Sequence, residues 1–283
     1  KEKETGPQQV VVEDLPDLVV DVDTDIPSTD ARQGSTYALI IGNEDYKSRQ
    51  QGLTEEQNVD YAVNDAQVFA QYCNRTLGIP QKQIKLLKNA TAAEIHQGLS
   101  WISNLAKIEE GNAKLIFYYS GHGLPDEQSK EPYLIPVDVS GKTIQYAVKL
   151  EEVYEKLTAH PTRQTTVFLD ACFSGGGREE GLLAVKGVRI KPKSPTIHDR
   201  VVALASSTGQ ESSSVYREKH HGYFTYFLLK KLKQSKGSAS YGELSDYIIR
   251  NVRKETGLIS KIQTPKVNVS PEVRNQWKSW TLR

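Results

Sequence analysis

The sequence predicts an α/β fold in which helices cover a largely parallel, doubly wound sheet. From Tyr37 onward, short apolar runs rich in β-branched and aromatic residues alternate with longer segments of helical character. Strands that alternate with helices need crossover connections, which are right-handed and keep the strands parallel. The 283 residues are enough to bury one substantial core, and single α/β domains extend to this size.

The elements follow from the same patterns, taken along the chain. Strands are predicted over the buried-type runs Tyr37–Gly42, Ile84–Leu87, Lys114–Tyr119, Thr165–Leu169 and Val201–Ala205, with a short extended piece at Tyr133–Val137. Helices are predicted over Asn64–Leu77, Thr91 to Lys107, Leu150–Thr158, Tyr223–Lys233 and Tyr241–Lys254. Thr91 and Glu94 have the spacing of a capping box, which supports the start of the second helix. The polar stretch from Gly175 to Arg200 predicts a long loop.

The first 34 residues differ in composition from the rest of the chain. They contain prolines, many acidic residues and only short valine-rich pieces, which predict a linker or an N-terminal arm ahead of a domain at residues 35–283. The chain contains no methionine. We therefore expect it to be part of a longer product, with an upstream domain or a targeting segment elsewhere, and its compartment, cytoplasmic or exported, stays open.

The charge and cysteine content exclude several function classes. Lys and Arg number 36 against 35 Asp and Glu, so a net charge of +1 gives no basis for nucleic-acid binding. The apolar runs are shorter than the roughly 20 residues that span a bilayer, so we expect no membrane insertion. Cys73 and Cys172 form neither a disulfide framework nor a metal-ligand spacing. A nucleotide-binding domain is disfavoured because no Walker-type Lys-Ser/Thr follows the glycines at Gly175–Gly177.

Two predicted strands end in glycine-rich turns that carry reactive side chains. One runs into Ser120-Gly121-His122-Gly123, and another runs into Asp170-Ala171-Cys172-Phe173-Ser174-Gly175. The carboxyl ends of parallel strands form the edge where ligands bind in open α/β sheets. A histidine and a cysteine at one edge can form the base and nucleophile of a cysteine hydrolase. Taken singly, His122 could be structural and Cys172 an inert core residue.

These two motifs resemble those of the caspase-like cysteine peptidases, most closely the bacterial metacaspases. The segments Ala38–Asn43, Val63–Ala66 and Gly222–Leu229 are similar to that family's pattern as well, and the likeness runs from Tyr37 to Lys233. The resemblance implies a three-layer sandwich around a mostly parallel sheet of about six strands. It implies His122 as base, Cys172 as nucleophile, and the backbone amides of Gly123 and Cys172 as oxyanion donors, with no cofactor required for the chemistry.

The resemblance also implies a preference for basic residues. Metacaspases cleave proteins and peptides after Arg or Lys, and the acidic residues of their specificity pocket match Asp65 and Asp170, with Ser120 beside them. Two partly desolvated carboxylates select a long cationic side chain through charge-assisted hydrogen bonds. Two alternatives stay open: Asp65 and Asp170 as a helix-terminal and a turn-capping carboxylate, and a caspase-type preference for Asp with Arg49 as the basic pocket residue.

Some features set this chain apart or leave its regulation open. Phe173 stands where the family usually has histidine, and Ala171 where serine is common. The basic loop at residues 178–200 is either a site of self-cleavage or a solvated loop. Intact His122 and Cys172 argue against a catalytically quiet module that only binds partners through its acidic pocket.

Metal binding has weak support in the residues themselves. Several family members depend on calcium, which makes calcium a candidate activator here. The acidic run Asp21-x-Asp23-x-Asp25 lacks the glycine and the closing glutamate of a calcium loop, so linker acidity explains it better and no metal ligands are assigned. Adjacent residues do not face the same side of a helix or strand, so we expect His220 and His221 to be surface residues.

Overall fold

A computed structural model describes residues 19–53, 57–173, 191–208 and 211–283. Its fold is built around one central sheet. In chain order the strands are β1 Thr36–Gly42, β2 Ile84–Lys88, β3 Lys114–Ser120, β4 Gly123–Pro125, β5 Pro132–Leu134, β6 Val148–Lys149, β7 Gln164–Asp170, β8 Val201–Ala205, β9 Val215–Tyr216, β10 His221–Gly222 and β11 Lys266–Val269. Six of them form the central sheet in the order β11-β8-β7-β3-β1-β2. All neighbours in it are parallel except β11, which runs antiparallel to β8.

Helices cover both faces of this sheet. They are α1 Ala62–Arg75, α2 Ala92–Ile108, α3 Leu150–Thr158, α4 Tyr223–Ser235 and α5 Tyr241–Leu258. Successive strand residues point to opposite faces, so Ile40 and Tyr118 lie in the core with α1, α4 and α5, while Leu39 and Phe117 lie in the core with α2 and α3. The predicted three-layer sandwich with a mostly parallel six-stranded sheet is confirmed.

Most predicted elements lie where the pattern places them. α3 has the predicted bounds, and α2 begins with the predicted capping box: Thr91 Oγ1 accepts the Glu94 N–H at 3.3 Å, and Glu94 Oε2 accepts the Thr91 N–H at 2.8 Å. α1 begins at Ala62, two residues before the prediction, because the carboxylate of the distant Glu44 accepts the Val63 N–H at 3.0 Å. Local pattern cannot reveal such a cap.

The remaining strands are short or have no helix after them, and of these only β5 overlaps a prediction, the extended piece at Tyr133–Val137. The strands β4, β5 and β6 form a small antiparallel sheet, β9 and β10 form another, and β11 adds an antiparallel edge after α5. The other strands have two to four residues, which are too few to show an alternation in the sequence. Among the described residues, no helix is long and apolar enough to cross a bilayer.

The described part of the N-terminal arm packs on the helix layer of α1 and α4. Val20, Val22 and Ile26 are buried in that core, and the Val22 carbonyl accepts a hydrogen bond from Tyr72 Oη at 2.8 Å. Most of the long loop predicted after β7, including residues 178–190 of the proposed self-cleavage segment, lies outside the described residues.

The end of β1 fixes where α1 begins. A Cβ on Gly42 would lie 2.4 Å from the Ala62 carbonyl oxygen and 2.7 Å from Ala66 Cβ. Any larger residue would push the helix away from the strand. This close approach brings the first turn of α1, and with it Asp65, to the carboxyl edge of the sheet.

Candidate active site

Two neighbouring strands end side by side and carry the predicted reactive residues. β3 and β7 are parallel, and their last residues, Ser120 and Asp170, face each other in register. The Gly121 N–H donates to the Asp170 carbonyl at 3.3 Å, which continues the pairing into the turns. His122 and Cys172, each two residues beyond these strand ends, therefore leave the sheet at the same edge, as predicted.

The turn of His122 packs directly on the segment of Cys172. A Cβ on Gly123 would lie 2.7 Å from Phe173 Cε1 and 3.1 Å from the Cys172 carbonyl oxygen. These distances are shorter than an ordinary contact of about 3.5 Å between carbon atoms, so only glycine allows the approach. Phe173, which stands where histidine is usual in the family, forms this contact with its ring.

His122 is buried and held by three groups of its surroundings. Its backbone N–H donates to Tyr46 Oη at 3.0 Å, its carbonyl accepts from Tyr119 Oη at 2.8 Å, and Nε2 lies 2.7 Å from the Gln57 carbonyl oxygen. A carbonyl oxygen can only accept, so Nε2 carries the proton and Nδ1 has the lone pair in the neutral ring. The ring is thus prepared to accept a proton at Nδ1.

Cys172 follows β7 and is covered by the segment after β8. It is 3% exposed, and its Sγ accepts the Ser213 N–H at 2.6 Å. Ser206 holds this segment against the residues that precede Cys172, because its Oγ donates to the Ala171 carbonyl at 3.2 Å and is hydrogen-bonded to Ser213 Oγ. A backbone N–H directed at sulfur stabilises the thiolate form, which is the reactive one.

Gln263 ties both ends of the segment that covers Cys172. Its Nε2 donates to the Ser206 carbonyl at 3.1 Å, and its Oε1 accepts the Ser214 N–H at 2.8 Å. The side chain is buried, with 1% exposure. Gln263 therefore fixes the position of the N–H group that meets the thiol sulfur.

The three residues assigned to substrate binding lie next to these turns and are fully buried. Ser120 Oγ donates to Asp65 Oδ2 at 3.0 Å, so the first turn of α1 and the end of β3 are in direct contact. Asp170 accepts from the first turn of α4, from Thr225 Oγ1 at 2.8 Å and from the Thr225 N–H at 3.3 Å. The N-terminus of a helix favours a negative charge at this position.

His221 is buried in the same cluster, which corrects the expectation of a surface residue. Its Nδ1 lies 2.8 Å from Asp65 Oδ1, and its Nε2 lies 2.8 Å from Asp23 Oδ1 of the N-terminal arm. His220 takes a left-handed conformation with φ of 50° and is exposed, so the two adjacent histidines do not share one environment. Burial opposes protonation of His221, but its hydrogen bonds to the carboxylates of Asp23 and Asp65 outweigh this effect and raise the pKa of His221 to about 9.

The structure also bears on Arg49, on the metal site considered from the sequence, and on site residues that the sequence patterns missed. Arg49, the alternative pocket residue, is exposed at the end of a short 3₁₀ helix, where its charge acts on Asp45 and Glu94. Among the described residues, no three His, Cys, Asp or Glu side chains form a group suited to a metal ion. The sequence patterns missed three residues that contact the site: Gln57, Ser213 and Gln263. Gln57 and Ser213 act through backbone groups, and Gln263 acts through an uncharged amide, so none of them forms a recognisable motif. His221 had a signal, since it immediately precedes the matched segment at Gly222.

Comparison with known proteins identifies the family. A family model described as the caspase domain matches residues 35–275. A curated protein of a Desulfuromonadales bacterium, named a probable protease, is 30% identical over 149 residues, which cover 50% of this chain and 18% of that protein. The matched region thus spans less than a fifth of the curated relative's length.

Solved structures show the same fold. A protein from Geobacter sulfurreducens is similar with a TM-score of 0.63 and 18% identity, over 87% of this chain and 97% of that one. Caspase-1 from Spodoptera frugiperda is similar with a TM-score of 0.56 and 15% identity, over 89% of this chain and 94% of that one. Since the family model covers most of the chain, the protein belongs to the caspase domain family of cysteine peptidases.

Proposed function

We propose that the chain is a cysteine endopeptidase of the metacaspase type, with a His122–Cys172 dyad, that cleaves proteins and peptides after Arg or Lys. The observation that carries the proposal is the contact of Gly123 with Cys172 and Phe173, which leaves no room for a Cβ. This contact brings the turn of the base onto the segment of the nucleophile. Family membership supports the chemistry, and the contact supports the closeness of the two residues.

The reaction uses the protonation state derived for His122. Nδ1 takes the proton of the Cys172 thiol, and the thiolate attacks the carbonyl carbon of the scissile bond. The new S–C bond gives a tetrahedral oxyanion, for which the backbone amides of Gly123 and Cys172 are the donors. The imidazolium then protonates the leaving amine as the C–N bond breaks. Water, deprotonated by the same imidazole, hydrolyses the acyl-enzyme and frees Cys172.

The Gln57 carbonyl acts on the base from the opposite side of the ring. Its oxygen lies 2.7 Å from His122 Nε2 and so fixes both the tautomer and the orientation of the imidazole. When His122 becomes an imidazolium, this hydrogen bond is charge-assisted and stronger. The proposed dyad therefore needs no third side chain to orient its base, and calcium stays a candidate activator.

The basic preference rests on the acidic cluster beside the dyad. Asp65 and Asp170 lie at the edge of the sheet from which Cys172 emerges, and Ser120 contacts Asp65 directly. A guanidinium or ammonium group entering beside them gains charge-assisted hydrogen bonds in a site from which water is excluded. Arg49 is exposed and its charge acts on Asp45 and Glu94, whereas Asp65 and Asp170 are fully buried at the sheet edge; this contrast supports the basic preference over one for Asp.

Self-processing within residues 178–200 is part of the proposal. The described end of that loop lines a cavity of about 200 Å³ together with Leu169 and Phe173, which flank the nucleophile in sequence. In the same region the Lys193 N–H donates to the Lys130 carbonyl at 2.8 Å. The described end of this basic loop therefore lies beside residues that adjoin Cys172, which supports cleavage of the loop by its own or another copy.

The test is cleavage of fluorogenic peptides ending in Arg, citrulline, Lys or Asp, with and without calcium. Cys172→Ala removes the nucleophile, and Cys73→Ala is the matched control because burial keeps that thiol inert. We expect cleavage after Arg and Lys that is lost only in Cys172→Ala. Cleavage after Asp would contradict the basic preference, and equal activity in both variants would contradict the assignment of the nucleophile.

Self-processing needs a separate experiment. Cys172→Ala protein, which cannot cleave itself, is incubated with a trace of the active protein, and the products are mapped by mass spectrometry. We expect a cut after a basic residue between Arg178 and Arg200. An intact loop would overturn self-processing, and no cleavage of any peptide, even after limited proteolysis of the loop, would favour a catalytically quiet interaction module.

A further inference from the structure

The buried ring of His221 joins three parts of the chain that are far apart in sequence. Nδ1 lies 2.8 Å from Asp65 in α1, and Nε2 lies 2.8 Å from Asp23 in the N-terminal arm. Both side chains of the His221–Asp65 pair are fully buried, and Asp23 is 29% exposed. The reaction proposed above assigns no role to this histidine.

The geometry requires a charged ring. An ionised carboxylate only accepts hydrogen bonds, and a neutral imidazole has a single N–H group. Two carboxylates at hydrogen-bond distance therefore need both nitrogens of His221 as donors, which makes the ring an imidazolium. The pKa of about 9 has the same origin, since the two carboxylates outweigh the effect of burial.

Further contacts hold the Asp65 carboxylate in one orientation. Oδ1 accepts from His221, Oδ2 accepts from Ser120, and the Gly222 N–H lies 3.2 Å and 3.3 Å from the two oxygens. A carboxylate with this many donors cannot rotate to meet a ligand. Its charge is met by an internal cation at a distance where pairing is strong.

Other charged groups near the ring are arranged in pairs of their own. On the arm, Asp21 binds Lys230 of α4 and lies 3.8 Å from Lys219. The titratable groups that face His221 directly are Asp23 from the arm and Asp65 from α1. Asp170, on the other side of Ser120, is bound by Thr225 at the start of α4.

We propose that His221 is a positioning residue that sets the charge of the specificity site: it orients Asp65 and cancels its negative charge, so that Asp170 supplies the net attraction for a basic side chain. This inference rests on the proposed function, because it takes the acidic cluster that contains Asp65 and Asp170 as the site that selects Arg or Lys. Asp23 of the N-terminal arm then also affects substrate specificity, because its carboxylate keeps the His221 ring protonated.

The charge can be read with an isosteric pair of substrates. Citrulline has the shape of arginine without the positive charge, so the ratio of kcat/KM for Arg and citrulline peptides reports the negative charge of the site. His221→Gln keeps a donor toward Asp65 but removes the cation. We expect the ratio to rise at least about tenfold in this variant, because an opposite charge at hydrogen-bond distance shifts such equilibria by one or more powers of ten.

A second variant keeps the proposal testable if His221→Gln does not fold. Asp23→Asn removes one carboxylate from the ring and leaves Asp65 untouched. In the wild type we expect the Arg/citrulline ratio to rise with pH as His221 deprotonates near its pKa of about 9. In Asp23→Asn the same rise comes at lower pH. Asp25→Asn makes the same charge change at an exposed position of the arm and leaves the profile unchanged.

A binding measurement separates this proposal from the proposed function. Agmatine, a guanidinium probe, is titrated into Cys172→Ala and into Cys172→Ala with His221→Gln, and we expect about tenfold tighter binding to the second. If neither protein with an intact Cys172 cleaves Arg peptides but agmatine shows this difference, the proposed function fails and the role of His221 stands. The role of His221 would be overturned if Arg peptides are cleaved while the Arg/citrulline ratio, its pH profile and the agmatine affinity are the same in the variants as in the parent protein. Failure of agmatine to bind either protein would overturn it as well.

Discussion

Gly123→Ala tests the contact on which the proposed dyad of His122 and Cys172 depends. The new Cβ would lie 2.7 Å and 2.8 Å from two ring carbons of Phe173 and 3.1 Å from the Cys172 carbonyl oxygen. Relief to an ordinary contact of about 3.5 Å requires the turn of His122 and the segment of Cys172 to separate by nearly 1 Å. A displacement of this size costs roughly 100-fold in rate, so we expect kcat/KM for Arg peptides to fall by about that factor.

The stability change accompanying this loss is modest. Overpacking costs about 1–3 kcal/mol, which urea denaturation measures while the protein remains folded. Gly257→Ala in α5 is the matched control, because its Cβ would meet open space, and we expect unchanged kcat/KM with a gain of about 0.5–1 kcal/mol. Phe173→Leu in the Gly123→Ala background removes the ring carbons and recovers part of the rate. Gly123→Ala with kcat/KM within about threefold of wild type would refute the reasoning, since the packing would then not set the catalytic geometry.

Three further predictions follow from the surroundings of the site. Tyr46→Phe removes the acceptor of the His122 N–H, and because this buried donor loses its bond of 3.0 Å we expect a stability loss of about 1–3 kcal/mol and a fall in kcat of about tenfold, read by denaturation and peptide kinetics. Gln263→Ala releases the segment that covers Cys172, and we expect it to lower kcat. Gln83→Ala is the control: it frees two carbonyls at the opposite end of the sheet, so we expect a similar loss of stability with unchanged kcat. Equal kcat in the two variants would show that the hydrogen bonds of Gln263 do not act on the Cys172 thiol. The pKa of His221 is raised from 6.5 to about 9 in the folded protein, so its contribution to the free energy of unfolding is full below about pH 6.5 and is lost as pH rises through about 9, by an amount on the order of 3 kcal/mol. Urea denaturation at several pH values should show this loss in the wild type, and its persistence in His221→Gln would assign it to another group.

The sequence predicted the elements whose signal is local. The alternation of apolar runs and helical segments placed the main strands and all the helices, and the spacing of Thr91 and Glu94 predicted a capping box that is present. Glycine-flanked turns at strand ends predicted that His122 and Cys172 lie at one edge. Each of these signals resides in a few consecutive residues, whose backbone preferences and periodicity do not depend on the rest of the chain.

Helix and strand limits were less predictable where a distant group decides them. α1 starts at Ala62 because Glu44 caps it from another part of the chain, and β11 joins the sheet only because β8 offers an unpaired edge. The expectation that His221 is a surface residue was wrong for the same reason. Its place beside the matched segment at Gly222 was a signal, but the two carboxylates that contact its ring, Asp23 and Asp65, are more than 150 residues away in sequence.

The sequence by itself determined the layered α/β architecture, the order of its elements and the residue types at the catalytic edge, because periodicity and turn chemistry are local properties. Only the tertiary structure decided what surrounds those residues. The Ser213 N–H meets Cys172 across 41 positions, the Gln57 carbonyl meets His122 across 65, and His221 meets Asp65 across 156 and Asp23 across 198. Such contacts depend on which segments the fold brings together, and they set the tautomer, the charge and the orientation with which the local residues act.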